Sequence, residues 1–93
     1  MQTFIYKGKI SELGEVKTGT SRTGTAWQAQ EVIIADAEGG RAKFRAFGEV
    51  VDQIAELKVG DGISAEFSVS GHVWKDNFYN DLSLIKVEGD LPF

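Results

Sequence analysis

The chain has 93 residues, which is enough for one domain with a single compact core. It contains no cysteine, so a disulfide framework, a thiolate metal site and a cysteine nucleophile are excluded. The net charge of −4 argues against nucleic acid as a partner, but residues 1–46 carry a net charge of +2 and residues 47–93 a net charge of −6. Basic charge is therefore concentrated in the first half of the chain, where a local patch can attract phosphate.

The N-terminal segment has no basic stretch followed by an apolar run, so it lacks the pattern of a signal peptide. No apolar stretch approaches the length that is needed to cross a membrane. We therefore expect a cytoplasmic protein without a membrane partner.

The first half of the chain predicts three strands. Alternating apolar residues indicate a first strand from Phe4 to about Val16, and turn-forming residues make 18–24 a polar loop. A second strand is predicted at 26–35, and a third at 41–47 after a short turn. These two strands should form a hairpin.

Basic and apolar residues alternate along the predicted third strand. One face carries Arg41, Lys43 and Arg45, and the opposite face carries only alanine and phenylalanine. Such alternation is typical of a half-buried strand with one solvated face.

The apolar spacing then changes and predicts a helix at 49–57, with Val50, Val51, Ile54 and Leu57 on its buried side. Two long strands follow and meet at a tight turn at residues 75–77.

The first of these two strands has apolar residues or glycine at alternate positions from Ile63 to Val73, so this whole face is predicted to pack on the core. Trp74 shares the opposite phase with serine and glutamate and is predicted to be exposed. Phe78 and Tyr79 are adjacent, so one of these two rings is expected to be in the core.

Three strands, one helix and two strands form the order of an OB-fold, a five-stranded Greek-key barrel with a helix between strands three and four. The predicted fold class is therefore all-β. An SH3-like barrel is the main alternative, but a helix between its third and fourth strands is harder to place.

Catalytic chemistry has little support in the sequence. One histidine, no cysteine and scattered carboxylates provide no nucleophile and base pair. There is no cluster of metal ligands, and the glycine-bounded segment 19–24 lacks the lysine and spacing of a phosphate-binding loop. We predict no enzymatic activity, no metal and no cofactor.

Binding of single-stranded nucleic acid has better support, because it needs rings on which bases stack and cations along the backbone path. In an OB-fold, the usual ligand surface is the face of strands two and three together with the loops that join strands one–two and four–five. The candidate rings and cations on or near this surface are Trp27, Trp74, Phe78, Tyr79, Arg22, Arg41, Lys43, Arg45 and Lys75. Trp27 could instead cap the core.

Three segments resemble the bacterial single-stranded DNA-binding proteins (SSB), including small relatives of phage or mobile-element type. They are Ser21–Ala35, Lys43–Asp61 with its Phe-Gly before a helix, and Ser68–Val87 with a tryptophan before a short turn. The resemblance implies binding of single-stranded DNA with little sequence preference, in replication, recombination and repair. It also implies a homo-oligomer and base stacking on Trp74.

The last residues also resemble the SSB family, whose members end in an acidic tip followed by an aliphatic residue, proline and phenylalanine. Here the tip is Asp90, Leu91, Pro92 and Phe93. The resemblance implies that this tip docks replication, recombination and repair proteins. We therefore divide the chain into an OB-fold domain at 1–88 and a docking tip at 89–93.

Three departures from the family suggest a shorter footprint on DNA and weaker binding per subunit. The long glycine-rich linker before the tip is almost absent, and the loop between strands two and three is cut to residues 36–40. Arg41 also stands where the family often has an aromatic residue.

The alternative to binding of single-stranded DNA is an OB-fold adaptor that binds proteins and no nucleic acid. The net acidity of the chain favours this alternative.

Overall fold

The computed structural model of the chain describes residues 2–89. These residues form six strands and one short helix. In chain order the elements are β1 (Phe4–Leu13), β2 (Lys17–Thr20), β3 (Ala26–Ala35), β4 (Arg41–Phe47), α1 (Glu49–Ile54), β5 (Gly62–Trp74) and β6 (Asn77–Gly89). The helix lies between β4 and β5, which correspond to the predicted third and fourth strands.

The strands form one sheet that closes into a barrel. Their order is β1-β5-β6-β4-β3-β2, and β1 also pairs with β3. The first half of β1 pairs with β5 and its second half pairs with β3. A parallel pair between Arg45 and Ser83 joins β4 to β6. The predicted OB-fold is confirmed, with six strands instead of five.

The additional strand is β2, which pairs with the start of β3. The prediction of a loop was therefore wrong for residues 18–20. The turn proper is Ser21–Thr25, closed by the Ser21 N–H donating to the Thr25 carbonyl at 2.8 Å. Turn-forming residues dominate this segment, so its local composition hides a strand that forms only by pairing with β3.

The core surrounds Phe44, whose ring lies 5.4 Å from that of Tyr6 and 5.0 Å from that of Phe67, measured between ring centroids. Phe44 and Ala46 are buried, whereas the three basic residues of β4 are exposed, which confirms the predicted alternation. The other buried apolar residues are Ile10, Val32, Ile34, Val50, Val51, Ile54, Ile63, Ala65, Leu84 and Val87.

The helix is shorter than predicted, because it ends at Ile54 instead of near Leu57. Val50, Val51 and Ile54 are buried, as the apolar spacing predicted, and Leu57 packs partly buried beyond the helix end. Within residues 2–89 no helix has the length and apolarity to cross a membrane.

The β5–β6 hairpin extends beyond the barrel. Every residue from Val69 to Asn80 is exposed. The prediction that the whole apolar face of β5 packs on the core was therefore wrong for Val69 and Val73, because no second layer formed by residues 2–89 covers this half of the hairpin. The expectation that Phe78 or Tyr79 is in the core was also wrong. They are exposed on opposite faces.

The turn between β3 and β4 is held by Asp36. The N–H groups of Glu38 and Gly40 each donate to Asp36 Oδ1 at 2.9 Å, and the Tyr6 hydroxyl donates to Oδ2 at 3.0 Å. The Gly40 hydrogen bond, with those from Tyr6 and Glu38, lowers the pKa of the Asp36 carboxyl below its usual value. This network ties the turn to β1.

The structure describes the proposed domain as far as Gly89, the last residue of β6. The predicted tip, Asp90–Phe93, lies outside the described residues. The division into residues 1–88 and 89–93 therefore stays a prediction.

Candidate nucleic-acid interface

One solvent-facing surface extends across β2, β3 and β4, and we call it the outer sheet face. On β3 it carries Trp27, Ala29 and Glu31, because Gln30, Val32 and Ile34 point into the barrel. Trp27 is 47% exposed, so it does not cap the core.

The indole of Trp27 lies over Gly19, its cross-strand partner in β2. A Cβ atom at position 19 would collide with the indole ring. Glycine at this position therefore lets the ring lie against the sheet, with its other side open to solvent.

Two residues of the outer sheet face were missed by the sequence prediction. Phe47 pairs with Ala29 and is 51% exposed, and Lys17 pairs with Ala29 from the opposite side. Phe47 is in the same strand phase as Arg45, so the alternation of β4 already indicated that its side chain is on the outer sheet face. No such signal existed for Lys17, because its strand β2 was not predicted.

The predicted cations of β4 line the outer sheet face. Arg41, Lys43 and Arg45 are all exposed and on one side of the strand. Lys43 Nζ lies 3.2 Å from Glu31 Oε2, whereas neither arginine has an ion pair among residues 2–89. This arrangement leaves two guanidinium groups available for phosphates.

Glu31 is a carboxylate within this basic surface. The Lys43 hydrogen bond and charge, with smaller contributions from Arg45 and Lys17, hold the pKa of the Glu31 carboxyl below its usual value. Glu31 is therefore ionised at neutral pH and partly offsets the positive charge.

The outer sheet face continues onto the projecting hairpin. Ser83 and Arg45 are paired, so their side chains lie on the same face of the sheet. Alternation along β6 then adds Asp81 and Tyr79 to this face, and the cross-strand partner of Tyr79 is His72. The surface therefore connects the cations of β4 with the rings of the hairpin.

The hairpin end of this face is rich in rings. His72 stacks on Tyr79 with centroids 5.5 Å apart, and His72 Nδ1 lies 3.1 Å from Asp81 Oδ2. Trp74 is two positions from His72, on the same face, and is 62% exposed. The Lys75 ammonium lies 5.7 Å from the centroid of the Trp74 ring, within the range of a cation–π contact.

Phe78 is separated from the other predicted rings. It pairs with Val73 and covers Gly71, on the opposite face of the hairpin. Val69, Gly71, Val73 and Phe78 form what we call the apolar hairpin face. Tyr79 and Trp74 are therefore on the outer sheet face, whereas Phe78 is on the opposite face.

The two predicted loop cations lie at opposite ends of the surface. Arg22 is exposed in the turn between β2 and β3, close in sequence to Trp27. Lys75 occupies the turn of the hairpin with Asp76, and both have positive φ angles of 51° and 65°. Positive φ angles at two consecutive residues are typical of the tight turns that join twisted antiparallel strands.

Residues 6–88 match the family described as "Domain of unknown function (DUF3127)". The chain belongs to this family. Its description assigns no activity, and no curated protein matches the sequence.

Several solved structures are similar to this one. The mitochondrial single-stranded DNA-binding protein Rim1 from S. cerevisiae has a TM-score of 0.67 at 13% identity, covering 95% of this chain and 94% of Rim1. The SSB domain of a Synechococcus sp. protein has a TM-score of 0.66 at 12% identity, covering 94% and 93%. OBody NL8, solved in complex with hen egg-white lysozyme, has a TM-score of 0.63 at 15% identity, covering 99% and 98%.

These comparisons confirm the resemblance to SSB proteins at the level of the fold. Two of the similar structures carry the name of single-stranded DNA binding, and the third is bound to a protein. The shared fold is therefore compatible with more than one kind of ligand.

Residues 2–89 contain no group of three or more histidine, cysteine, aspartate or glutamate side chains that could hold a metal ion. The outer sheet face offers exposed rings and cations, which suit bases and phosphates.

Proposed function

We propose that this protein binds single-stranded DNA along the outer sheet face and has no enzymatic activity. The observation that carries the proposal is the continuity of this face. Exposed rings lie at both ends, Trp27 with Phe47 and Tyr79 with Trp74, and the cations of β4 lie between them.

Bases would stack on the rings while phosphates meet the cations. The described cations assigned to this role are Lys17, Arg22, Arg41, Lys43, Arg45 and Lys75. Stacking does not depend strongly on base identity, since every base has a π-face, and it contributes about 1–3 kcal/mol per base. Binding is therefore expected to tolerate most sequences.

The ion pair between Lys43 and Glu31 is compatible with this role. Both side chains are largely exposed, and exposed pairs typically contribute at most about 1 kcal/mol. A phosphate can therefore replace Glu31 as the partner of Lys43 at small cost.

We also propose that the protein acts as a homo-oligomer in the cytoplasm, and that its C-terminal tip recruits partner proteins of DNA replication, recombination and repair. Support for the recruitment comes from the order of Asp90, Leu91, Pro92 and Phe93, which resembles the SSB tip. Phe93→Ala should abolish recruitment and leave the affinity for oligonucleotides unchanged.

The direct test is a titration of the tryptophan fluorescence with a thymidine oligomer of about 30 nucleotides, long enough for an OB-fold footprint. Quenching should saturate and weaken as salt rises, because phosphate binding releases counterions. Trp27→Phe and Trp74→Phe each leave one tryptophan and so locate the bases. Absence of quenching at low salt in a folded sample would overturn the proposal.

A protein-binding adaptor is the second candidate. The net charge of −4 and the exposed apolar hairpin face favour it. In that case neither oligonucleotide binding nor its salt dependence would be observed.

A further inference from the structure

A shallow depression of about 430 Å³ lies on the outer sheet face, and its floor is Ala29. The register explains it, because Ala29 is a small residue surrounded by larger ones. Trp27 and Glu31 are its same-face neighbours along β3, and Lys17 and Phe47 are its cross-strand partners. Arg45, paired with Glu31, also lines the rim, together with Gly14 and Glu15. We call this the Ala29 depression.

The rim combines two rings with two carboxylates, Glu31 and Glu15. Trp27 and Phe47 provide exposed apolar surfaces on which a planar ring can pack. Glu31 uses Oε2 for Lys43, and among the described residues no donor is assigned to its Oε1. An ionised carboxylate only accepts hydrogen bonds, so this oxygen selects for a donor on the bound ring.

The four DNA bases differ in what they offer to such an oxygen. Cytosine, adenine and guanine each carry an exocyclic amino group, and a carboxylate accepting from the cytosine amino group is a known mode of base readout. Thymine has only one N–H on its pairing edge, and carbonyl oxygens flank it on both sides. A carboxylate that approaches this N–H also meets the negative charge of a carbonyl.

We infer that the Ala29 depression is a base-selective subsite in which Glu31 favours bases with an amino group over thymine. This inference rests on the proposed binding of single-stranded DNA. It adds one discriminating position to a surface that otherwise tolerates any base.

The test compares dC and dT oligomers of equal length at neutral pH, with affinity measured by fluorescence anisotropy of labelled DNA. Wild-type protein should bind dC about fivefold more tightly, the lower range for one good base contact. Glu31→Gln should abolish this preference, because an amide both donates and accepts. Glu56→Gln is the matched control, since it removes the same charge at an exposed position next to the helix, and should keep the preference.

A second variant tests the depression itself. Ala29→Leu fills the floor without removing a ring or a charge, so it should weaken binding of dC and bring its affinity close to that of dT. Leucine is tolerated at a half-exposed strand position, and the circular dichroism spectrum checks the fold.

The outcomes separate the two proposals. Two outcomes would show that Glu31 acts only on phosphates: wild-type protein binds both oligomers equally, or Glu31→Gln strengthens the binding of both oligomers by the same factor. In either case the inference is wrong, while the proposal of DNA binding stands. A preference for dC that survives in Glu31→Gln would also show that the inference is wrong while the proposal of DNA binding stands. If neither oligomer binds, the proposed function and the inference both fail.

Discussion

Trp27 and Gly19 are cross-strand partners, and the indole of Trp27 occupies the space that any side chain at position 19 would need. The position of one exposed ring is thus determined by the absence of a Cβ atom on the neighbouring strand. This relationship makes the proposed binding surface testable without touching the ring itself.

Gly19→Ala should displace the Trp27 indole and weaken binding of a thymidine oligomer by about fivefold or more, which corresponds to the lower range for one stacked base. The measurement is the dissociation constant from fluorescence anisotropy. Gly71→Ala is the matched control, because its Cβ would displace Phe78 in the same way on the apolar hairpin face. Equal losses in both variants would contradict binding on the outer sheet face.

Trp74→Ala should lower the affinity about tenfold, within the range for one stacked base. Tyr79→Ala should act in the same direction, because its ring lies on the same face of the hairpin. Phe78→Ala should leave the affinity unchanged, although Phe78 is the most exposed of the three rings. The comparison requires isothermal titration of the three variants with one oligomer. Loss of affinity only in Phe78→Ala would move the site to the apolar hairpin face.

Arg45→Gln should reduce the salt dependence of binding. Each phosphate contact on a single strand contributes about −0.7 to the slope of log K against log salt concentration. Arg45 has no carboxylate ion pair among the described residues, so its removal should lower the magnitude of the slope by about 0.7. Lys58→Gln removes an exposed charge near the helix and should leave the slope unchanged. An unchanged slope in Arg45→Gln would remove Arg45 from the phosphate path.

Asp36 should make stability depend on pH in the acidic range. Its folded-state pKa is lowered from the usual value of 3.8, so its contribution is present above the unfolded-state pKa and is lost as the pH falls through the folded-state value. Asp36→Asn keeps an acceptor for the turn N–H groups but cannot titrate, and should flatten this part of the stability profile. Urea unfolding at neutral and acidic pH measures the effect. The same loss on acidification in wild type and variant would assign it to other carboxyls.

Several parts of the fold could be predicted because their signal is local. The alternation of β4 correctly separated Phe44 and Ala46 from the exposed basic residues, since successive side chains in a strand point to opposite faces. The apolar spacing of the helix correctly indicated its buried side, although the helix ends at Ile54. Trp74 is exposed as its polar phase predicted, although the projecting hairpin exposes both phases from Val69 to Asn80.

Other parts depended on partners that are distant in sequence. Lys17–Thr20 becomes a strand only because the start of β3 pairs with it, and its composition resembles a turn. The Ala29 depression exists because three strands place Lys17, Ala29 and Phe47 side by side. No local pattern contains that register.

The amino-acid sequence alone establishes which side chains share a face of a strand, because the pleat imposes a period of two on an extended segment. Whether a given face is covered depends on how the strands assemble into the barrel. Ile63 and Val73 have the same phase in β5, yet Ile63 is in the core and Val73 is exposed, because the barrel closes over the first half of the hairpin and ends before the second.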